Sequence, residues 1–251
     1  MVTHHRLYRF KRRLTASLAV IATVVLSLNP RLAQASGPDL GSLSIEDLME
    51  VEVTSVSKRA QPLTEAAAAV YVLSNEDIRR SGATSVPEAL RLVPGLDVAR
   101  IDASRWAITA RGFNMQFANK LLVLIDGRTV YTHLFSGVYW DVQGVVLEDV
   151  DRIEVVRGPG GTLWGANAVN GVINIITKKA GDTQGWLASG GGGTLERVFG
   201  TLRYGATLGK DARLRAYVKY LDQGDLETET GEGANDESDI TRGGFRLDWD
   251  L

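Results

Sequence analysis

Between Val150 and Lys178 the chain reads VDRIEVVRGPGGTLWGANAVNGVINIITK, two β-type runs around a glycine-rich, uncharged turn. No other stretch limits the local fold as tightly. Arg152 to Val156 alternates charged with aliphatic side chains, and Gly171 to Thr177 alternates apolar residues with glycine and asparagine, so each reads as a strand with one buried face. Gly158, Pro159, Gly160, Gly161 and Gly165 lie between them. A phosphate-cradling loop is the first alternative, and it fails. A P-loop needs Lys and Ser/Thr directly after its last glycine, where this chain has Ala166 and Asn167. The dinucleotide fingerprint breaks at Leu163, where its third glycine should stand, and a strand rather than a helix is expected next.

The chain opens with an export leader. Arg6, Arg9, Lys11, Arg12 and Arg13 form a basic region, Leu14 to Leu28 is apolar, and Ala33-Gln34-Ala35 is a small-x-small cleavage site. The apolar run is shorter than the roughly 20 residues of a membrane span and ends at Asn29-Pro30, which argues against a retained helix. Residues 1–35 therefore read as a signal peptide. The whole chain has 28 Lys+Arg and 30 Asp+Glu; the leader holds six of the basic residues and no acidic ones, so 22 face 30 in the remainder, a net charge of −8. That balance disfavours a nucleic acid held through its phosphates. There is no cysteine, and His133 is the single histidine after the leader. Disulfides, thiolate chemistry, a histidine triad and a multi-histidine zinc site are thereby excluded. Carboxylates are plentiful, yet nothing marks out an acid/base pair, and no cofactor is expected.

Residues 69–178 carry mixed α/β texture. Val70 to Leu73 reads as a strand, Ser74 with Asp77 caps a short helix that Gly82 stops, and Thr84 or Ser85 opens a second helix with Pro87 in its first turn, running to Leu92. Leu96 to Ala99, Trp106 to Thr109 and Leu121 to Ile125 read as strands. Asp126-Gly127, between Leu121 to Ile125 and Thr129 to Tyr131, is a two-residue hairpin signal.

Several blocks of this region resemble, in family order, the plug domain of TonB-dependent outer-membrane receptors. They are Ser81-Gly82-Ala83, Glu88-Ala89-Leu90 with Val93-Pro94-Gly95, Arg111-Gly112-Phe113, Leu124-Ile125-Asp126-Gly127-Arg128, and the strand–turn–strand from Arg152 through Arg157-Gly158-Pro159 to Ile175. The resemblance implies a plug that fills the lumen of a barrel, with Arg111, Glu154 and Arg157 as plug–barrel contacts. The alternative for these three is ordinary charged positions on a half-exposed sheet. Gly112, Gly158 and Gly160 read as serving backbone geometry rather than ligand contact. The implied activity is not enzymatic. It is energy-coupled uptake of a scarce solute, a ferric siderophore or other metal chelate, across the outer membrane of a Gram-negative bacterium, with the plug facing the periplasm. Arg105, Trp106, Phe117, His133, Phe135 and Tyr139 are candidate ligand-facing residues at the plug apex, with packing against barrel loops as the alternative for each. The implied partners are TonB, outer-membrane lipid and the extracellular ligand, and no nucleic acid.

Ahead of the plug, in a 36–68 extension, Glu52-Val53-Thr54-Ser55-Val56 resembles the TonB box, the extended segment such receptors offer to TonB by β-augmentation. A leader strand of the plug sheet is the alternative. Ser44 to Met49 reads as a short helical turn.

Over residues 183–251 the period becomes two. Val198, Gly200, Leu202, Tyr204, Ala206 and Leu208 oppose Thr201, Arg203 and Thr207; Leu214, Ala216, Val218 and Tyr220 oppose Arg213, Arg215, Tyr217 and Lys219; Phe245, Leu247, Trp249 and Leu251 oppose Arg242, Arg246, Asp248 and Asp250. These lengths suit tilted membrane strands with an apolar face for lipid, although a soluble antiparallel sheet alternates identically. The expected fold is an α+β plug domain followed by about four antiparallel strands of a transmembrane β-barrel that does not close in this chain. A family barrel has about 22 strands, so the expectation is a fragment or truncated product without transport of its own. The short Gly209-Lys210-Asp211 link suits the periplasmic side and the acidic 222–239 link the outer side, with calcium binding there as a minor alternative. The other function classes are a soluble periplasmic binding or interaction module and an exported hydrolase using a carboxylate pair.

Overall fold

A computed structural model describes residues 52–249 apart from 67, 113, 116, 118 and 119. The leader, the Ser44–Met49 turn, Phe113, Asp250 and Leu251 lie outside the described residues. The chain runs β1 (Glu52–Val53), β2 (Gln61–Pro62), β3 (Ala69–Ser74), α1 (Asn75–Ser81), α2 (Val86–Leu90), β4 (Leu96–Arg100), β5 (Trp106–Ala110), β6 (Leu121–Ile125) and β7 (Arg128–Thr129). It continues through β8 (Val150–Arg157), α3 (Gly161–Trp164), β9 (Gly171–Thr177), β10 (Gly185–Gly191), β11 (Glu196–Leu208), β12 (Ala212–Gln223) and β13 (Ser238–Trp249).

The first region is organised by a five-stranded mixed sheet in the order β3-β8-β9-β6-β7, in which β6 and β9 are parallel and the other pairs antiparallel. The local signals explain most of its edges. Ser74 Oγ accepts from the Asp77 N–H at 3.1 Å while the Asp77 carboxylate accepts from the Ser74 N–H at 3.0 Å, a reciprocal cap, and Gly82 ends α1 at φ 71°. Asp126 and Gly127 take φ of 49° and 78°, as a two-residue hairpin turn requires. α2 starts from Ser85 and stops at Leu90, two residues short of the expected Leu92. β7 is likewise shorter than expected, with the Val130 N–H just beyond it still donating to β6, at the Val123 carbonyl (3.1 Å).

Two expectations for the central motif need correction. The runs around the glycine turn are covered on both sides rather than one. Ile153, Val155, Ile173 and Ile175 join the main core, whereas Val156 and Val172 join Leu122, Leu124 and Ala168 in a second cluster packed by Val56, Val70 and Trp164. A central strand flanked by two others has no free face once both sides are packed, so its alternation of size reflects two cores. The turn itself also holds a single helical turn, α3, before β9 begins.

The second region is an antiparallel meander in the order β10-β11-β12-β13. Its burial is inverted relative to a soluble sheet. Phe245, Trp249 and Trp186 are 74%, 66% and 55% exposed, while Arg203 and Arg215, on the opposite face, are 8% and 6% exposed. A water-soluble sheet with its own core would cover the aromatic side, so the soluble-sheet alternative does not describe this wall. Among the described residues the four strands do not close into a barrel.

Candidate functional site

The segment read as a TonB box is fastened to the domain by a buried carboxylate. Glu154 in β8 is fully buried, and its Oε2 accepts from the backbone N–H groups of Thr54 (2.9 Å) and Ser55 (2.8 Å) and from Ser55 Oγ (2.6 Å). Arg152 Nε donates to the other oxygen at 2.9 Å, which supplies the compensating positive charge. Trp164 Nε1 donates to the Ser55 carbonyl at 2.7 Å, and Asn174 Nδ2 donates to Ser55 Oγ at 3.1 Å. Val53 is fully buried, and β1 pairs with β2 in a two-residue ladder rather than with the five-stranded sheet. The leader-strand alternative is therefore not what is observed.

Arg111 and Arg157 bond within the same domain: Arg111 Nη2 donates to the Arg157 carbonyl at 3.2 Å, and Arg157 Nη1 donates to the Pro94 carbonyl at 3.1 Å. Gly112 and Gly158 take φ of 82° and 149°, where a side chain is strained. Gly160 lacks a positive φ, but a Cβ there would stand 3.1 Å from Val172 Cγ2.

Contacts between the domain and the strand wall centre on Asp149, which precedes β8 and is 2% exposed. Arg203 Nη1 donates to Asp149 Oδ1 at 2.7 Å, and Arg215 Nε lies 3.3 Å from Oδ2. Arg215 also donates to the Lys178 carbonyl (3.0 Å) and to Thr177 Oγ1 (3.3 Å), and Arg246 donates to the same hydroxyl at 2.9 Å. Arg246 further lies 3.6 Å from Asp126, and Asp248 accepts from the Ala180 N–H at 2.6 Å. Three wall strands thus grip the ends of β6 and β9 and the start of β8. Lys178, beside this cluster, is pushed below the ordinary lysine range by burial, with Asp149 and Asp151 opposing the shift.

At the other end lies an aromatic cluster. Phe135 stacks on Tyr139 with centroids 4.0 Å apart and meets Phe117 edge-on at 5.4 Å; His133 meets Tyr131 edge-on at 5.3 Å. Phe117, His133 and Tyr139 are exposed, with Leu134 fully so. Trp106 departs from the expectation for an apex residue: it is 7% exposed, held under the guanidinium groups of Arg91 and Arg100 at 5.5 and 4.9 Å. A ring packed between two cations and the core has no face left for a ligand. Arg105 is exposed and paired with Asp102. Burial would raise the Asp102 carboxyl, but hydrogen bonds from the Arg105 and Ser104 N–H groups and the Arg105 side chain hold it below the ordinary range. The acidic loop comes down beside it, as Asp236 Oδ2 accepts from the Ala103 N–H at 2.7 Å. Asp225 accepts from the Asp236 and Glu237 N–H groups at 2.8 and 2.9 Å, so these carboxylates cap backbone. No group of metal-ligating side chains is assembled among the described residues.

Residues 62–172 match the family model described as the TonB-dependent receptor plug domain. Residues 62–172 therefore carry a plug domain of the TonB-dependent receptor type. Vitamin B12 transporter BtuB of Vibrio vulnificus is 33% identical over 144 residues, 57% of this chain and 23% of the relative. An iron-regulated outer membrane virulence protein of Vibrio cholerae is 36% identical over 143 residues, 55% of this chain and 21% of the relative. Among solved structures, the ferric-catecholate import receptor Fiu from E. coli K12 superposes with TM-score 0.52 at 28% identity, covering 67% of this chain and 23% of that one. P. aeruginosa FpvA, solved with a heterologous pyoverdine, gives 0.60 at 21% identity over 80% of this chain and 25% of that one, a likeness of fold alone. The chain spans less than a quarter of the length of either curated relative.

As a plug, the domain meets its wall through residues that the sequence reading did not single out. Arg203, Arg215 and Arg246 were legible as one face of the wall strands, but Asp149 sits in an acidic run, Glu148-Asp149-Val150-Asp151, where nothing local marks the buried member. The polar partners of Arg111, Glu154 and Arg157 among the described residues lie in the plug and its N-terminal segment rather than on β10–β13.

Proposed function

We propose that this chain is the plug and first wall of an outer-membrane receptor for energy-coupled uptake of a ferric siderophore or another metal chelate. The observation that carries the reading is the inverted sheet: large apolar side chains outside, arginines inside against a plug. An apolar outer face has lipid as its natural solvent, and strands of 12 to 13 residues exceed the roughly 9–11 that a tilted span needs. Glu52 to Val56 is the TonB box in this reading, held on the periplasmic side by Glu154 until TonB pairs with its backbone. Phe117, His133, Phe135 and Tyr139 form the ligand-facing apex, and Arg111 and Arg157 are kept as contacts to the barrel wall, whereas the Glu154 carboxylate is used inside the plug. The family relationship supports a transporter rather than an enzyme. A soluble periplasmic module is disfavoured by the exposed Phe245, Leu247 and Trp249.

The test is uptake of labelled ferric siderophores and cobalamin by cells with and without the intact gene, in hosts with and without TonB. The reading requires uptake of at least one chelate that depends on both. Recovery of the protein in the soluble periplasm, with chelate uptake unaffected by its deletion, would contradict it.

A further inference from the structure

Arg203 and Arg215, both buried in the wall, share a single carboxylate of the plug, Asp149. Arg246, directly opposite Arg215 across β12 and β13, is answered separately, by Asp248 at 2.8 Å and by Asp126 at 3.6 Å. Arg203 comes from β11, and its Nε is buried without a hydrogen-bond partner among the described residues. Asp149 is shared between Arg203 and Arg215, and its Oδ2 receives no well-aligned hydrogen bond. Two guanidinium groups thus converge on one carboxylate of the plug, and Arg215 is steadied beside it by the Thr177 hydroxyl. Guanidinium groups converging on one point make a receptor for a planar or tetrahedral oxyanion.

We propose that Arg203 and Arg215 form an oxyanion-binding site on the barrel wall, for which the Asp149 carboxylate is the resident stand-in. Displacement of the plug withdraws Asp149 and leaves the Arg203 and Arg215 guanidinium groups facing the opened lumen, while Arg246 keeps Asp248 of its own strand. A carboxylate or phosphate-class group on the passing solute then takes its place. The site itself is a property of the wall, and its use by a solute rests on the transport reading above. It lies among the ends of β8 and β9, apart from the aromatic apex cluster.

The decisive experiment is chemical rescue. Asp149→Ala in the detergent-solubilised protein is expected to unfold at lower temperature than the parent. Inorganic phosphate or acetate, against chloride at matched ionic strength, is expected to restore the midpoint saturably in the millimolar range. The same additions should leave Asp149→Ala combined with Arg203→Gln and Arg215→Gln unmoved. Absence of an anion-specific shift in Asp149→Ala, or an equal shift in the triple variant, overturns the site. If Asp149→Ala does not accumulate folded, its refolding yield with and without phosphate is read the same way: anion-dependent recovery supports the site, and none overturns it. The solute's part is read from uptake by the parent and by Arg215→Gln. A greater loss for acidic than for neutral chelates supports it, and equal losses overturn it. No uptake by the parent, with rescue intact, counts against the transport reading and not against the site.

Discussion

The plug and the wall use the same alternation of apolar and charged residues to opposite ends. In the plug, Ile153, Ile173 and Ile175 are fully buried, and the charge buried among them, Glu154, is answered by Arg152 and the Thr54 and Ser55 N–H groups. In the wall, Phe245, Leu247 and Trp249 face outward while Arg203, Arg215 and Arg246 turn toward the plug. Period two tells which residues share a face, but the face that is covered depends on what lies against it. The plug supplies carboxylates and carbonyls on one side of the wall, and a nonpolar solvent is the complement of the other.

The contrast can be broken at several points. The largest effect is expected for Glu154→Leu, which leaves the Thr54 and Ser55 N–H groups without their acceptor and Arg152 with Asp151 alone. The loss should be about 3–5 kcal/mol for removing one partner of a buried charge network, and limited proteolysis should cut near residues 52–58 sooner than in the parent. Ile173→Ala, in the doubly covered β9, should cost about 2–5 kcal/mol in denaturant unfolding through the cavity it leaves. Leu247→Arg separates the two solvents: on a lipid-facing strand it should cost about 2–4 kcal/mol near the bilayer midplane. On a water-facing strand it would be nearly silent, and refolding into lipid vesicles distinguishes the two.

The smallest effect concerns pH. Because the Asp102 carboxyl titrates lower in the folded chain than in the unfolded one, its contribution is present above the ordinary carboxylate range and is lost as pH falls through the lowered folded value. Acidification should therefore loosen the 102–105 turn, seen as faster amide exchange at Ser104 and Arg105, and Asp102→Asn should remove that acid step.

Local chemistry made much of the plug readable. The Ser74 and Asp77 cap, the Asp126-Gly127 turn and the β6 and β9 runs need only neighbours within a few residues, and the strands stand where they were expected. What local signals could not carry was pairing over distance. Asp149 meets Arg203 from 54 residues away, and Trp106 is buried because Arg91 and Arg100 cover it, a matter of tertiary packing. The double covering of β8 and β9 escaped for the same reason, since the second cluster depends on Val56 and Trp164 folding over the sheet.

The central claim is that the outer face of the wall meets hydrocarbon while the inner face meets the plug. The chain has no cysteine, so single cysteines can be placed from Gly243 to Trp249 and labelled in outer-membrane vesicles. A period-two result is predicted, with Phe245, Leu247 and Trp249 reached by a lipid-soluble quencher and Gly244, Arg246 and Asp248 reached by neither that quencher nor, while the plug is seated, a bulky aqueous reagent. Ready labelling of Phe245 and Leu247 positions by the aqueous reagent would contradict the account.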